Sequence, residues 1–484
     1  VNRPIRRVAV FAILLIAALL VNATWVQAFH ASALDQATGN QRQLLAEYSR
    51  QRGPILVDGE AVARSVPTTD RLKYLRRYPG GAEYAPITGY DSYIYGTSGI
   101  EASYDTELSG DDDALAVRRI VDVVTGTEAQ GASVELTIDP AAQDAAWKGL
   151  DGKQGAVVAI EPSTGRILAL ASSPSYDPAV LSSHDGTAIE AAWKKLDPAS
   201  PSSPVLDRAA NQTYPPGSTF KLVTAAAALD SGKYTPDTEL PGPARLLLTG
   251  TSTYLPNEDG ESCGPDDQVT LRQALAISCN TAFAGLGGTL GQAALRKQAA
   301  AFGFGTDLLP DLDAAPSRFP SGLDPSQTEQ SAIGQFSVTA SVLQMAVVAA
   351  TIADKGVRHQ PYVVSRVLSP NLQQLSSTTP DTGIAAMTPA AAAALTSMME
   401  TVVATGTGTP AQINGIQVAG KTGTAQQGTG TKPVAWFVAF APAQDPKVAV
   451  AVAIPDADIP SQDIAGGKLA APIAKAVIEA VLNP

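Results

Sequence analysis

Three short motifs, far apart and in a fixed order, constrain what this chain can fold into: Ser218-Thr219-Phe220-Lys221, Ser278-Cys279-Asn280 and Lys421-Thr422-Gly423-Thr424. Each is weak alone, because helices often carry Ser and Lys three apart on a solvated face, and S-x-N and K-T-G both occur in turns. Together they supply two hydroxyls, an amide and two amines. Those groups do chemistry only when a fold brings distant segments within hydrogen-bond reach of one another.

A serine hydroxyl is a poor nucleophile until a nearby base takes its proton. Pro215, Pro216 and Gly217 fit a forced turn, and Phe220 to Leu229 then reads as an apolar helix ending near Gly232. Ser218 thus falls at a helix N-terminus, which favours developing negative charge, and Lys221 lies one turn further on the same face. A lysine of ordinary pKa is protonated and useless as a base. Burial beside Phe220, Leu222 and Val223, with Lys421 as a second cation, would lower that pKa. Ser278 can relay a proton between Lys221 and a leaving group. Asn280 offers a donor and an acceptor for a peptide bond, with a plain helix cap as its other reading. Gly420 and Gly423 let a substrate backbone approach a strand closely. Lys421, Thr422 and Thr424 suit a carboxylate, and the N–H groups of Ser218 and Thr424 would form an oxyanion hole.

At 484 residues the chain is too long for one ordinary domain, and 45% hydrophobic content suffices for packed cores. A net charge of −12 argues against a nucleic-acid partner. His30, His184 and His359 stand isolated, so neither a metal nor any other cofactor is expected. Arg3, Arg6 and Arg7 precede an uncharged stretch in which residues 8–28, as helix, span about 31 Å, one hydrocarbon core. The basic flank predicts a cytoplasmic tail at 1–7, a single-pass anchor at 8–28 with Trp25 at the outer interface, and an extracytoplasmic remainder. The competing reading is a signal peptide cleaved at Ala31-Ser32-Ala33. Outside the cytoplasm the two cysteines, Cys263 and Cys279, can bridge, and that bridge would pin the S-x-N loop; the alternative is two buried thiols.

Residues 30–150 differ from the rest. Leu44 to Arg52 reads as a helix continuing from the membrane, followed by Gly/Pro-punctuated short strands and an acidic turn at Asp111-Asp112-Asp113. No catalytic cluster is visible there. From Gly155 the pattern is regular. Ala156 to Ile160 and Arg166 to Ala171 form a hairpin across Glu161 to Gly165, and an Ala-rich helical block runs over about 218–356. Apolar runs at Ile416 to Ala419, Ala435 to Phe440 and Val448 to Ile454 precede a helix from Leu469 to Leu482. Leu375 to Pro380 and Thr405 to Thr409 read as loops. Strands at both ends of a helical block imply one sheet assembled from distant segments and packed between helices.

The ordered triple resembles the serine penicillin-binding proteins, and within them the class B monofunctional D,D-transpeptidases. The likeness extends to Arg52-Gly53-x-Ile55, Gly155 to Pro162, Ser173 to Asp177, Gln330 to Gln335, Lys421 to Ala425 and Ala435-Trp436-Phe437. It implies an α+β fold: an antiparallel sheet between helices plus an all-helical subdomain at 151–484. Ahead of it stand a smaller, mostly β or irregular pedestal, dimerisation-like, at 30–150 and the membrane helix. It implies an acyl-enzyme on Ser218, catalysis by Ser218, Lys221 and Ser278, and substrate binding by Asn280, Lys421, Thr422, Gly423 and Thr424. The implied partners are peptidoglycan stem pentapeptides ending in D-Ala-D-Ala, β-lactams, the membrane, a membrane glycan polymerase and other division or elongation proteins. Two features depart from the family: Phe336 stands where many relatives have Gly, and Cys279 sits in mid-triplet. A D,D-carboxypeptidase shares all three motifs and remains an alternative, as does a β-lactam-binding division scaffold without activity. A class A β-lactamase is disfavoured because 307–314 offers Asp311 and Asp313 but no deacylating glutamate.

Overall fold

In a computed structural model, residues 2–26, 48–112, 130–428, 431–457, 460 and 464–483 are described. The leading helix, Asn2–Trp25, takes in the arginines as well as the apolar stretch. Among the described residues it is the one helix long and apolar enough to cross a membrane: within 3–25, an 18-residue window has a mean hydropathy of 2.4 and is unburied. The alternative cleavage site at 31–33, residues 27–28 of the expected anchor, residues 44–47 of the expected helical continuation, and Asp113 of the acidic turn lie outside the described residues, and the described remainder of that continuation, 48–52, is turn and bridge rather than helix.

Five antiparallel strands form the central sheet, in the order Ala419–Ala425, Val434–Ala441, Val448–Asp456, Gln154–Ile160, Ile167–Ser173. Alternation along them feeds two cores. Trp436, Val438 and Phe440 face the helical block, while Ala435, Phe437 and Ala439 face Pro140–Gly149 and Ala471–Leu482. Val342–Ala353, buried at all its positions, backs the first face. That strand of Val434–Ala441 is buried along its whole length because both faces are covered. The strand bearing Lys421 is therefore a sheet edge, and its free side meets the turn holding Ser218.

A second, six-stranded sheet runs Gln374–Ser377, Val364–Leu368, Ser133–Leu136, Ile55–Val57, Glu60–Pro67, Tyr74–Arg77. It corrects two expectations. Leu375 to Ser377 is an edge strand rather than loop; its mostly exposed Ser-rich face carries no apolar alternation to betray it. Nor does packing divide the chain at residue 150. The hairpin at 364–377 completes the N-terminal sheet, whereas Pro140–Gly149 buries Ala142 and Ala146 with Ala474 and Val477 of the C-terminal body. The apolar run from Ile416 enters its strand only at Ala419. Arg52 and Arg76 share the fully buried Glu101, at 2.6 and 2.7 Å, which knits the Arg52-Gly53-x-Ile55 segment into the N-terminal body.

Candidate active site

Ser218 lies in a short 3-10 turn, Gly217–Phe220, immediately before the helix Lys221–Asp230. Several contacts force that turn. Gly217 has φ +51°, and its N–H donates to the Gly334 carbonyl at 3.0 Å. Gly334, at φ +71°, approaches so closely that a Cβ there would stand 2.2 Å from the Gly217 oxygen. Trp436 Nε1 donates to the Pro215 carbonyl at 2.9 Å, fastening the turn to the sheet. Two quoted sequence signatures, Gln330 to Gln335 and Ala435 to Phe437, thus act by shaping the chain around Ser218.

Leu271–Ala276 ends just before Ser278, which adopts φ +63°, and Asn280–Ala301 starts two residues later. A non-glycine residue held left-handed stores about 1–3 kcal/mol of strain, which surrounding contacts must hold. Here those contacts converge. Lys221 Nζ donates to the Ser278 carbonyl at 2.7 Å, to Ser278 Oγ at 3.2 Å and to Asn280 Oδ1 at 2.7 Å. Lys421 Nζ donates to the same Ser278 Oγ at 2.9 Å and to the Thr422 carbonyl at 2.9 Å. One hydroxyl thus joins two fully buried amines. Lys221 also lies 5.7 Å from the Phe283 ring centroid. Cys279, not Asn280, caps the second helix, accepting from the Ala282 N–H. The Asn280 side chain instead holds Lys221.

Burial pushes Lys221 well below the ordinary lysine value, and the Lys421 charge pushes it further. Burial lowers Lys421 to about 7. The negative charge of Glu258 opposes both shifts. The base reading needs Lys221 neutral, and the carboxylate reading needs Lys421 charged. Lys221 gives up its proton first, because it titrates against a charged Lys421. Acylation by a carboxylate-bearing penicillin, as kcat/KM, should therefore rise with pH as Lys221 loses its proton and fall again near 7 as Lys421 does. Stopped-flow acylation across pH checks this; a rate climbing steadily past pH 9 contradicts it.

Ser218, half-buried, lines a cleft of about 480 Å³ with Asn280, Thr424, Gln330, Gln335, Phe336 and the segment 255–258. Among the described residues the Ser218 hydroxyl has no hydrogen-bond partner, so Lys221 is committed to the S-x-N loop rather than to it; such contacts commonly tighten only when substrate binds. The Lys421 strand adjoins: a Cβ on Gly423 would meet Thr219 at 3.0 Å, and one on Gly217 would stand 3.1 Å from the Thr424 oxygen. Thr424 is half-open to the cleft, whereas Thr422 is buried with its hydroxyl 2.5 Å from that of Thr407. Phe336, 48% exposed, holds φ +61°, a left-handed region that favours glycine.

Cys263 and Cys279 are joined by a disulfide with Cα atoms 6.0 Å apart. Nearby, the Asn257 side chain accepts from the Asn280 and Thr281 N–H groups, both at 3.1 Å. Its amide donates to the carbonyls of Pro243 and Glu261, at 3.0 and 2.8 Å. Asn257, Glu258 and Thr407 escaped sequence reasoning. Asn257-Glu258-Asp259-Gly260 reads as an ordinary polar turn, and only its nearness to Cys263 hinted at the site.

Known proteins resemble the chain along its whole length. The penicillin binding protein transpeptidase domain matches residues 155–479, and the penicillin binding protein A dimerisation domain matches 52–134. The chain is 46% identical to the peptidoglycan D,D-transpeptidase PbpA of Mycolicibacterium smegmatis, covering 100% of this chain and 99% of the relative. It is 44% identical to the protein of that name from Mycobacterium tuberculosis over 100% of this chain and 99% of the relative. The crystal structure of PBPA from M. tuberculosis superposes with a TM-score of 0.85 at 43% identity, covering 90% of this chain and 100% of that one. A penicillin G acyl-enzyme complex of the M. tuberculosis protein matches equally well, with the same score, identity and coverage. The chain belongs to the penicillin-binding protein transpeptidases, of the class B type.

Proposed function

We propose that this protein cross-links peptidoglycan as a serine-type D,D-transpeptidase, and that Ser218 carries the acyl-enzyme. One observation carries the assignment of roles: the Ser278 hydroxyl bonded to both buried amines, beside the cleft that Ser218 lines. Lys221, neutral, takes the Ser218 proton as Oγ attacks the penultimate D-Ala carbonyl of a stem pentapeptide. The N–H groups of Ser218 and Thr424 stabilise the oxyanion. The terminal carboxylate lies toward Lys421, Thr422 and Thr424, with Thr407 orienting the Thr422 hydroxyl and Gly423 allowing close approach. Asn280 binds the substrate amide. The proton returns through Ser278 to the departing D-Ala nitrogen. A second stem peptide's amine then resolves the ester. β-Lactams mimic the donor and stall at the ester on Ser218.

The leading helix acts as a single-pass anchor with the arginines on the cytoplasmic side and the catalytic body outside. Tethering keeps that body near nascent glycan and a membrane glycan polymerase. Residues of the 30–150 region serve as a non-catalytic pedestal for partner contacts, in keeping with the dimerisation domain matched at 52–134.

The test separates transpeptidation from hydrolysis. Given a pentapeptide donor and an amine acceptor, the full-length protein in detergent should form cross-linked dimer faster than it releases D-Ala into tetrapeptide. Tetrapeptide alone, at every acceptor concentration and with the polymerase present, would make it a carboxypeptidase.

A further inference from the structure

Transpeptidation needs two substrates of opposite charge at one serine. The donor ends in a carboxylate, which a buried cation attracts. The acceptor amine is an ammonium at neutral pH, and the charged Lys421 that attracts the donor repels it. A cleft built for both needs a negative group near the ester. Among the described residues lining the cleft, Glu258 is the only carboxylate. It is exposed, so a ligand can reach it.

Its placement is built rather than incidental. Asn257, 6% exposed, ties the chain just before Glu258 to the first N–H groups of the Asn280 helix. The disulfide ties the same loop, a few residues on, to Cys279. Glu258 therefore sits on a short loop fastened at both sides to the S-x-N segment. Pro256 and Leu255 line the cleft on the strand leading into it.

We propose that Glu258 is the acceptor-binding residue, its carboxylate holding the ammonium of the incoming stem-peptide amine beside the Ser218 ester. This rests on the transpeptidase reading above. The ammonium loses one proton to solvent at the cleft mouth and becomes a free amine. Its nitrogen attacks the ester carbonyl, forming the C–N bond. The second N–H proton passes through Lys221 to Ser218 Oγ as the C–O bond breaks, which restores the hydroxyl and leaves a neutral amide cross-link. Water, uncharged, gains less from Glu258 than an ammonium does, so the carboxylate biases the ester toward amines.

The test compares full-length wild type with Glu258→Gln and Glu258→Lys, using a thioester donor peptide and a tripeptide acceptor with a free side-chain amine. Glu258→Gln should lower kcat/KM for the acceptor at least about tenfold, mainly through a higher acceptor KM, and Glu258→Lys should lower it further. Hydrolysis of the acyl-enzyme and acylation by penicillin should fall by no more than about threefold. Equal losses in acylation and aminolysis would place Glu258 on the lysines instead and overturn the proposal. Unchanged acceptor kinetics would overturn it too. Wild type that forms no cross-link with any acceptor would overturn the transpeptidase reading and this inference together.

Discussion

Replacing Lys221 with methionine is expected to slow acylation by penicillin at least about 10³-fold while leaving the protein folded. Methionine's unbranched chain suits the channel that the lysine stem occupies, and the change removes a fully desolvated amine that faces a second cation. Ser278 keeps Lys421 as a donor, and Asn280 loses a partner but stays half-exposed to water. Lys221→Arg sharpens the test, because a guanidinium cannot become neutral and should fail as a base despite its charge. The measurement is the second-order acylation rate beside a thermal melt. A methionine variant acylating within tenfold of wild type would remove Lys221 from the role of base.

Much of the site was legible because its residues lie within motifs of fixed local geometry. The Pro-Pro-Gly turn and the helix after it follow from residue types and spacing, while Lys421 was a candidate second cation through the order of the three motifs. The central sheet was readable for a similar reason: strands covered on both faces appear as unbroken apolar runs, as in Ala435 to Phe440. What escaped depends on contacts between distant segments. Nothing local marks Asn257 as the acceptor for two helix N–H groups, or Thr407 as the partner of Thr422. The 374–377 strand was missed because an edge position asks for no apolar alternation. The line at residue 150 misplaced Pro140–Gly149, since composition does not reveal which body a helix packs against.

Phe336 shows how backbone strain can carry physical content. Its backbone takes a left-handed conformation that favours glycine, so this chain holds strain where an exposed aromatic ring lines the Ser218 cleft. The ring lines the same cleft as the nucleophile, and β-lactam side chains should feel it first.

The second large effect, and the most direct test of the central claim, is the position of the covalent bond. The account makes Ser218 the one nucleophile, since its hydroxyl lines the cleft while that of Ser278 is held by two amines. Full-length protein treated with penicillin G is digested and mapped by mass spectrometry, in parallel with Ser218→Ala. Removing one hydroxyl from a half-buried turn position should leave the melt unchanged and abolish the adduct completely. The account predicts a single penicilloyl mass increment on the peptide containing Ser218 in wild type and none anywhere in the variant. An adduct on Ser278, or one that persists in folded Ser218→Ala, would contradict it.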